Sequence, residues 1–167
     1  MAVQGPIVIT GASSGIGAAC ARYLDALGFT VWAGVRRTQD GAALTRLTSS
    51  RLRVLMLDVT DPASIEAARK TLAEATRDTG LAGLVNNAGI SVAGPLELLP
   101  LSEVRTQFEV NVIGVLAVTQ ALLPLLRLAR GRIVNISSIA GLAATPFLGA
   151  YCSSKFALEA MSDALRL

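Results

Sequence analysis

The chain has 167 residues, 52% of them hydrophobic and 16% charged, enough apolar material for a single domain spanning 1–167 and too much for a disordered segment. Its 15 Lys and Arg against 12 Asp and Glu give a net charge of +3, but they are dispersed rather than gathered into a basic stripe interleaved with aromatics, which argues against nucleic-acid binding. With no histidine and only Cys20 and Cys152, no metal site and no disulfide framework are expected; the chain reads as a reduced, cytoplasmic protein whose proton transfers fall to Tyr, Lys, Asp or Glu.

The N-terminal MAVQGPIVIT lacks the basic and long apolar regions of a signal peptide. Within it, residues 6–10 read as a strand. A glycine-rich turn follows, then a helix over 15–28 that stops at Gly28. Residues 29–35 form a second strand and 40–47 a short helix. Residues 52–59 form a third strand, and 61–76 a helix with Asp61 as N-cap and Pro62 in its first turn. The segment 81–89 contains a fourth strand. A long helix over 102–128, capped by Ser102, carries the apolar tract 112–129; Gln120, Pro124 and Arg127 interrupt that tract, so it reads as a buried helix and not a membrane span. Residues 131–138 form a fifth strand, and a last helix runs from 149 to 167.

Apolar strands that alternate with helices imply a parallel sheet covered on both faces and joined by right-handed crossovers. The expected fold class is α/β, a doubly wound parallel sheet of the Rossmann kind. Such sheets bind ligands beyond the carboxyl ends of their strands, so the chemistry is expected in the segments just after them.

The first of these segments is TGASSGIG, Thr10 to Gly17. Gly11 permits a tight turn, while Gly15 and Gly17 let backbone N–H groups and a helix start approach a pyrophosphate. Alone, the loop is also compatible with an ordinary strand–helix turn. It contains no Gly-Lys-Ser/Thr, which excludes a P-loop nucleotide triphosphatase.

Several motifs in register resemble the short-chain dehydrogenase/reductase family. TGASSGIG is similar to its cofactor loop, NNAG at 86–89 to its second signature, and Tyr151-Cys-Ser-Ser-Lys155 to its Y-x-x-x-K. Ser138, thirteen residues before Tyr151, and Asn111 on the long helix stand where the family's catalytic serine and asparagine are expected. The resemblance covers nearly the whole chain and is strongest to the hydroxysteroid and retinol dehydrogenase branch. It implies an NAD(P)-dependent oxidoreductase acting on CH–OH groups. Its cofactor would be held by Gly11, Ser13, Ser14, Gly15, Ile16, Gly17, Arg36, Asp58, Val59, Asn87, Ala88, Gly89, Tyr151 and Lys155.

The end of the second strand bears on the choice of dinucleotide. The family's ribose-binding Asp position falls on Val35, and Arg36 follows at once. An Arg there accommodates the 2′-phosphate of NADP, and Ser13 can donate to the same group. NADP is therefore the expected cofactor, with NAD possible; the bland reading makes Arg36 and Arg37 solvated loop charges. Asp58 and Val59 resemble the pair that meets the adenine ring. Asn87, Ala88 and Gly89 are expected to line the adenosine ribose, whereas Asn86 reads as a tie between strands.

Tyr151 and Lys155, four residues apart, share one face of a helix. A free tyrosine, with pKa near ~10, is a poor acid/base at neutral pH, and a lysine ammonium within about 4–6 Å favours its phenolate. The resemblance assigns the acid/base role to Tyr151. It gives Lys155 a bond to the nicotinamide ribose and Ser138 a bond to the substrate oxygen. It gives Asn111 a water that links Lys155 to solvent. Ser137 is the less suitable serine, because neighbours on a strand face opposite ways.

Family members run longer. This chain ends inside the helix that carries Tyr151 and Lys155, so the resemblance implies a C-terminally truncated member without the last strands and the substrate loop, with a bare sheet edge beside its fifth strand. The remaining pocket segments, SVAGPLELL and IAGLAATPFLG, are mostly apolar, which suits a small hydrophobic alcohol or ketone such as a steroid or retinoid. The alternatives are a nucleotide-sugar epimerase or dehydratase and a dinucleotide-binding fragment or regulatory module without turnover. A homodimer or homotetramer is expected for the full-length protein, through the last helix and the long helix.

Overall fold

A computed structural model describes residues 4–166. Five strands form one parallel sheet: β1 (Gln4–Ile9), β2 (Phe29–Val35), β3 (Leu52–Met56), β4 (Gly83–Asn86) and β5 (Arg132–Asn135). Their spatial order is β3-β2-β1-β4-β5. The connecting helices are α1 (Gly15–Ala26), α2 (Thr38–Thr45), α3 (Pro62–Ala75), α4 (Leu101–Phe108), α5 (Gly114–Ala129) and α6 (Gly149–Ala164). The chain winds outward from β1 to β3, then restarts on the other side of β1. The switch point between β1 and β4 is where a doubly wound sheet opens a crevice at its carboxyl end.

Alternation along the strands supplies a core on each face. Ile7, Ile9, Val31 and Ala33 pack with Ala21 of α1 and Leu44 of α2. Val8, Trp32 and Leu55 pack with Leu72 of α3 and Leu122 and Leu126 of α5. Burial on both faces is why these strands read as continuous apolar runs. Pro6 lies in the central strand, where it has no N–H to give, and the register of β1 on β2 shifts between Gln4 and Pro6.

The expected strand β2 and the start of α3 match the structure. Asp61 caps α3 by accepting from the Ala63 N–H at 2.9 Å, with Pro62 in the first turn. Strands three and five are shorter than expected. Met56 is the last residue of β3 to pair with β2, opposite Val35, and Asn135 the last of β5 to pair with β4, opposite Asn86. One further bond follows on each, from the Leu57 N–H to the Val35 carbonyl and from the Ile136 N–H to the Asn86 carbonyl, each at 2.9 Å, and past it the segments leave the sheet.

The long apolar helix is also different. Pro100, not Ser102, occupies its cap position, and Ser102 lies inside the first turn, its carbonyl accepting from Thr106 Oγ1 at 2.9 Å. A π turn at Glu109–Ile113 separates α4 from α5. By length and composition alone, Leu101–Ala129 could cross a membrane; in this fold Val118, Leu122 and Leu126 are buried in the core on the sheet. At the end of the π turn, α5 presses on the segment after β3: a Cβ added at Gly114 would lie 2.7 Å from the Val59 carbonyl oxygen and 2.9 Å from Val59 Cγ2. Gly114→Val is expected to lose about 1–3 kcal/mol of stability by overpacking, read as a lower urea midpoint at unchanged slope.

Candidate active site

The crevice is built first from backbone. Gly11 and Gly15 adopt φ of +63° and +54°, a region that glycine enters without the Cβ clash. A Cβ at Gly11 would sit 2.8 Å from Ala88 Cα, whereas at Gly15 it would meet nothing within 4 Å. The loop is therefore pressed against β4's exit at one end and open at the other. Ser14 precedes α1 without using its side chain as a cap, and the first turn holds no acidic residue. The leading N–H groups of α1 and the positive end of its dipole are left for an anion. A pyrophosphate fits this cradle.

Side chains then fasten β1 to β4. Thr10 Oγ1 accepts from the N–H groups of Asn87 and Ala88 at 3.0 and 2.9 Å. Asn87 Nδ2 donates to the carbonyls of Thr10 and Gly11, each at 3.0 Å. A Cβ at Gly17 would clash with that Nδ2 and with the Gly11 carbonyl. Asn87, expected to line the ribose, does border the crevice, but its amide is occupied as a latch. Asn86 is the strand tie it was read to be, donating to Thr119 Oγ1 at 3.0 Å and Asn135 Oδ1 at 2.9 Å.

The resulting cleft has a volume of about 320 Å³. Gly11, Ser13, Ser14, Ile16, Arg36, Asp58, Val59, Asn87, Ala88 and Gly89 line it. Sequence reasoning missed Gly34, Leu57, Ile90 and Val110, which line it too. Gly17 is buried beneath the latch. Arg37 is paired with Asp40, Nε to Oδ2 at 2.9 Å, so Arg36 alone of the two faces the cleft. The Asp58 carboxyl is held below its usual range by the Thr60 N–H and hydroxyl, with Arg36 adding to the effect and burial opposing it.

The catalytic candidates gather on α6 and its neighbours. Lys155 is buried, 6% exposed. Its Nζ lies 5.7 Å from the centroid of the Tyr151 ring and donates to the Ile136 carbonyl at 2.8 Å. That carbonyl belongs to the segment just beyond β5. Burial pushes the Lys155 ammonium below its ordinary value, and Glu159 opposes the shift. Ser138 Oγ accepts from the Ala140 N–H at 3.1 Å, which leaves its hydroxyl hydrogen to be donated elsewhere. Ser137 Oγ is buried, with no partner among the described residues, and lies 3.1 Å from where a Gly141 Cβ would be. Both serines lie past the end of β5, so strand alternation does not separate them; Ser138 instead caps the short turn Ile139–Gly141.

Asn111 sits in the π turn, almost fully buried. Its Oδ1 accepts from the Ile90 N–H at 2.9 Å, and its Nδ2 donates to the Ile90 carbonyl at 2.9 Å and to Ser154 Oγ at 3.1 Å. Both amide hydrogens are taken. The water-holding role expected of Asn111 therefore does not run through its side-chain N–H groups; the amide joins the β4 exit to α6. Ser154, which spacing alone did not mark, completes the join by donating to the Tyr151 carbonyl at 2.7 Å.

Residues 6–167 match the family described as short chain dehydrogenase, and the chain belongs to that family. It is 48% identical to retinol dehydrogenase 16 of Homo sapiens over 96% of this chain and 50% of the relative. It is 43% identical to the mitochondrial D-beta-hydroxybutyrate dehydrogenase of Mus musculus over 96% of this chain and 48% of the relative. The alcohol dehydrogenase of the archaeon Thermococcus sibiricus, solved with 5-hydroxy-NADP, superposes with a TM-score of 0.90 at 30% identity, over 97% of this chain and 70% of that one. The chain spans about half the length of the curated relatives it matches. The retinol dehydrogenase match agrees with the branch read from the motifs, and the structural match with the Rossmann-like sheet.

Two outcomes follow from this geometry. Asn111→Ala strands the Ile90 N–H and carbonyl, and is expected to cost about 2–4 kcal/mol by chemical denaturation. Because the folded Lys155 binds its proton less tightly than the unfolded chain does, stability should climb as pH rises toward the ordinary lysine range near ~10.4. Lys155→Met should flatten that rise when unfolding is followed between neutral and alkaline pH.

Proposed function

We propose that this chain carries the cofactor cleft and catalytic group of an NADP-dependent oxidoreductase acting on a hydrophobic secondary alcohol or ketone. The observation that supports it best is the buried Lys155, fixed on the Ile136 carbonyl with its ammonium over the Tyr151 ring. A nicotinamide cofactor held in the cleft supplies or accepts the hydride. Tyr151 gives its hydroxyl proton to a carbonyl oxygen in reduction and takes one from an alcohol in oxidation. Lys155 Nζ faces the Tyr151 ring from 5.7 Å. Ser138, oriented by Ala140, donates to the substrate oxygen where charge develops. Asn111 and Ser154 hold the surrounding segments in place.

Arg36 supports NADP over NAD. It lines the cleft and makes no ion pair within 4.0 Å among the described residues, so it is available for a 2′-phosphate. The apolar segments after β4 and β5 support a hydrophobic substrate, and the name of the human relative points the same way. The name of the mouse relative marks the competing class, a short hydroxy acid. Ile113 and Phe156, exposed on the long helix and on α6, support assembly of the complete protein through those helices.

In the complete protein, Tyr151→Phe should lower kcat by about 10²–10⁴-fold while leaving cofactor affinity, measured by fluorescence, unchanged. Retained turnover would remove Tyr151 from the mechanism. Arg36→Ala should weaken the preference for NADP by about 10–100-fold in kcat/KM, the size of one charge-assisted contact; a wild type that favours NAD refutes the cofactor assignment.

A further inference from the structure

We propose that Phe147 determines specificity in this site: its ring forms the wall against which the uncharged hydrocarbon body of a secondary alcohol lies while the hydroxyl meets Tyr151. The proposal rests on the oxidoreductase reading above.

Two residues other than glycine have positive φ among those described, Arg130 at 52° and Phe147 at 63°. Arg130 closes α5 in the left-handed conformation common at helix ends. Phe147 has no such setting, and for a bulky side chain the conformation is an outlier. Burial does not compensate it within the described chain, since the residue is 66% exposed. Strain that persists without packing collects at working sites.

The main chain holds the conformation in place. The Gly94 N–H donates to the Phe147 carbonyl at 2.7 Å. Two residues on, Gly149 lies beneath Leu96, whose side-chain carbons would be 2.8–3.1 Å from a Cβ there. These two contacts clamp the loop after β4 to the segment after β5 at the first turn of α6, the turn that carries Tyr151. Leu96 and Phe147 both stand exposed at this junction. From Ile139 to Ala150 the sequence carries no charged side chain. That surface offers nothing to pair with a carboxylate or phosphate, and it suits a neutral ring or branched chain.

The test uses the complete protein with whichever of NADP and NAD it accepts better, and two matched secondary alcohols, 4-phenyl-2-butanol and 2-butanol. Phe147→Gly keeps the positive φ without strain, so the thermal midpoint should hold within about 3 °C. The variant should lose about tenfold or more in kcat/KM for 4-phenyl-2-butanol, mainly through KM, with 2-butanol unaffected. Phe147→Leu should restore part of the difference. An unchanged ratio between the alcohols overturns the proposal. So does an equal fall for both with a lowered midpoint, which would make the ring a packing element. If the wild type oxidises neither alcohol, the oxidoreductase reading fails and this proposal fails with it.

Discussion

Past the last strand pairs, the main chain of β1 and β4 runs out of neighbours, and side-chain amides and hydroxyls take over its hydrogen bonding. Thr10 and Asn87 join the two exits across the switch point, and Asn111 serves both backbone groups of Ile90. A buried peptide group left without a partner costs about 1–3 kcal/mol, so these few side chains decide whether the carboxyl edge of the sheet can stay open. The crevice exists because its walls are satisfied sideways and need nothing from its interior. Asn87 and Asn111, which the motifs mark for the ligand site, thus also hold its frame together.

The electrostatics of the crevice follow from the same economy of partners. The start of α1 has no acidic neighbour in its first turn, Arg36 is free of Asp40, and Lys155 stands behind Tyr151. The acid facing the cleft, Asp58, already accepts from Thr60 twice. Positive charge is thus offered at the phosphate loop, at Arg36 and again on α6.

What could be read from sequence was whatever is encoded locally. The bounds of β2, the cap of α3 and the glycine loop depend on residues adjacent to them. Tyr151 and Lys155 were legible because helical spacing alone places them together, whereas alternation could not separate Ser138 from Ser137, since both lie beyond the end of β5. The ends of β3 and β5 were not legible, because a strand stops where its neighbour stops. Ser102 has a capping side chain, yet Pro100 and the chain direction it imposes took the position. The Ile136 carbonyl that anchors Lys155 is main chain and leaves no residue signature. The commitments of Asn87 and Asn111 were hidden for a related reason: an asparagine reads the same whether its amide faces a ligand or a backbone.

The π turn has a further consequence. It adds one residue to a helix that is fixed on both sides, at Asn111 by Ile90 and Ser154 and at Gly114 by Val59. Each α-helical residue turns the chain by about 100°. Removing one residue between 109 and 113 would restore an unbroken α-helix locally, yet it would swing the whole apolar stripe of α5 away from the sheet or carry Asn111 out of the crevice. The segment can accept changes of side chain, but a change of its length would break the hold at Asn111 or the one at Gly114.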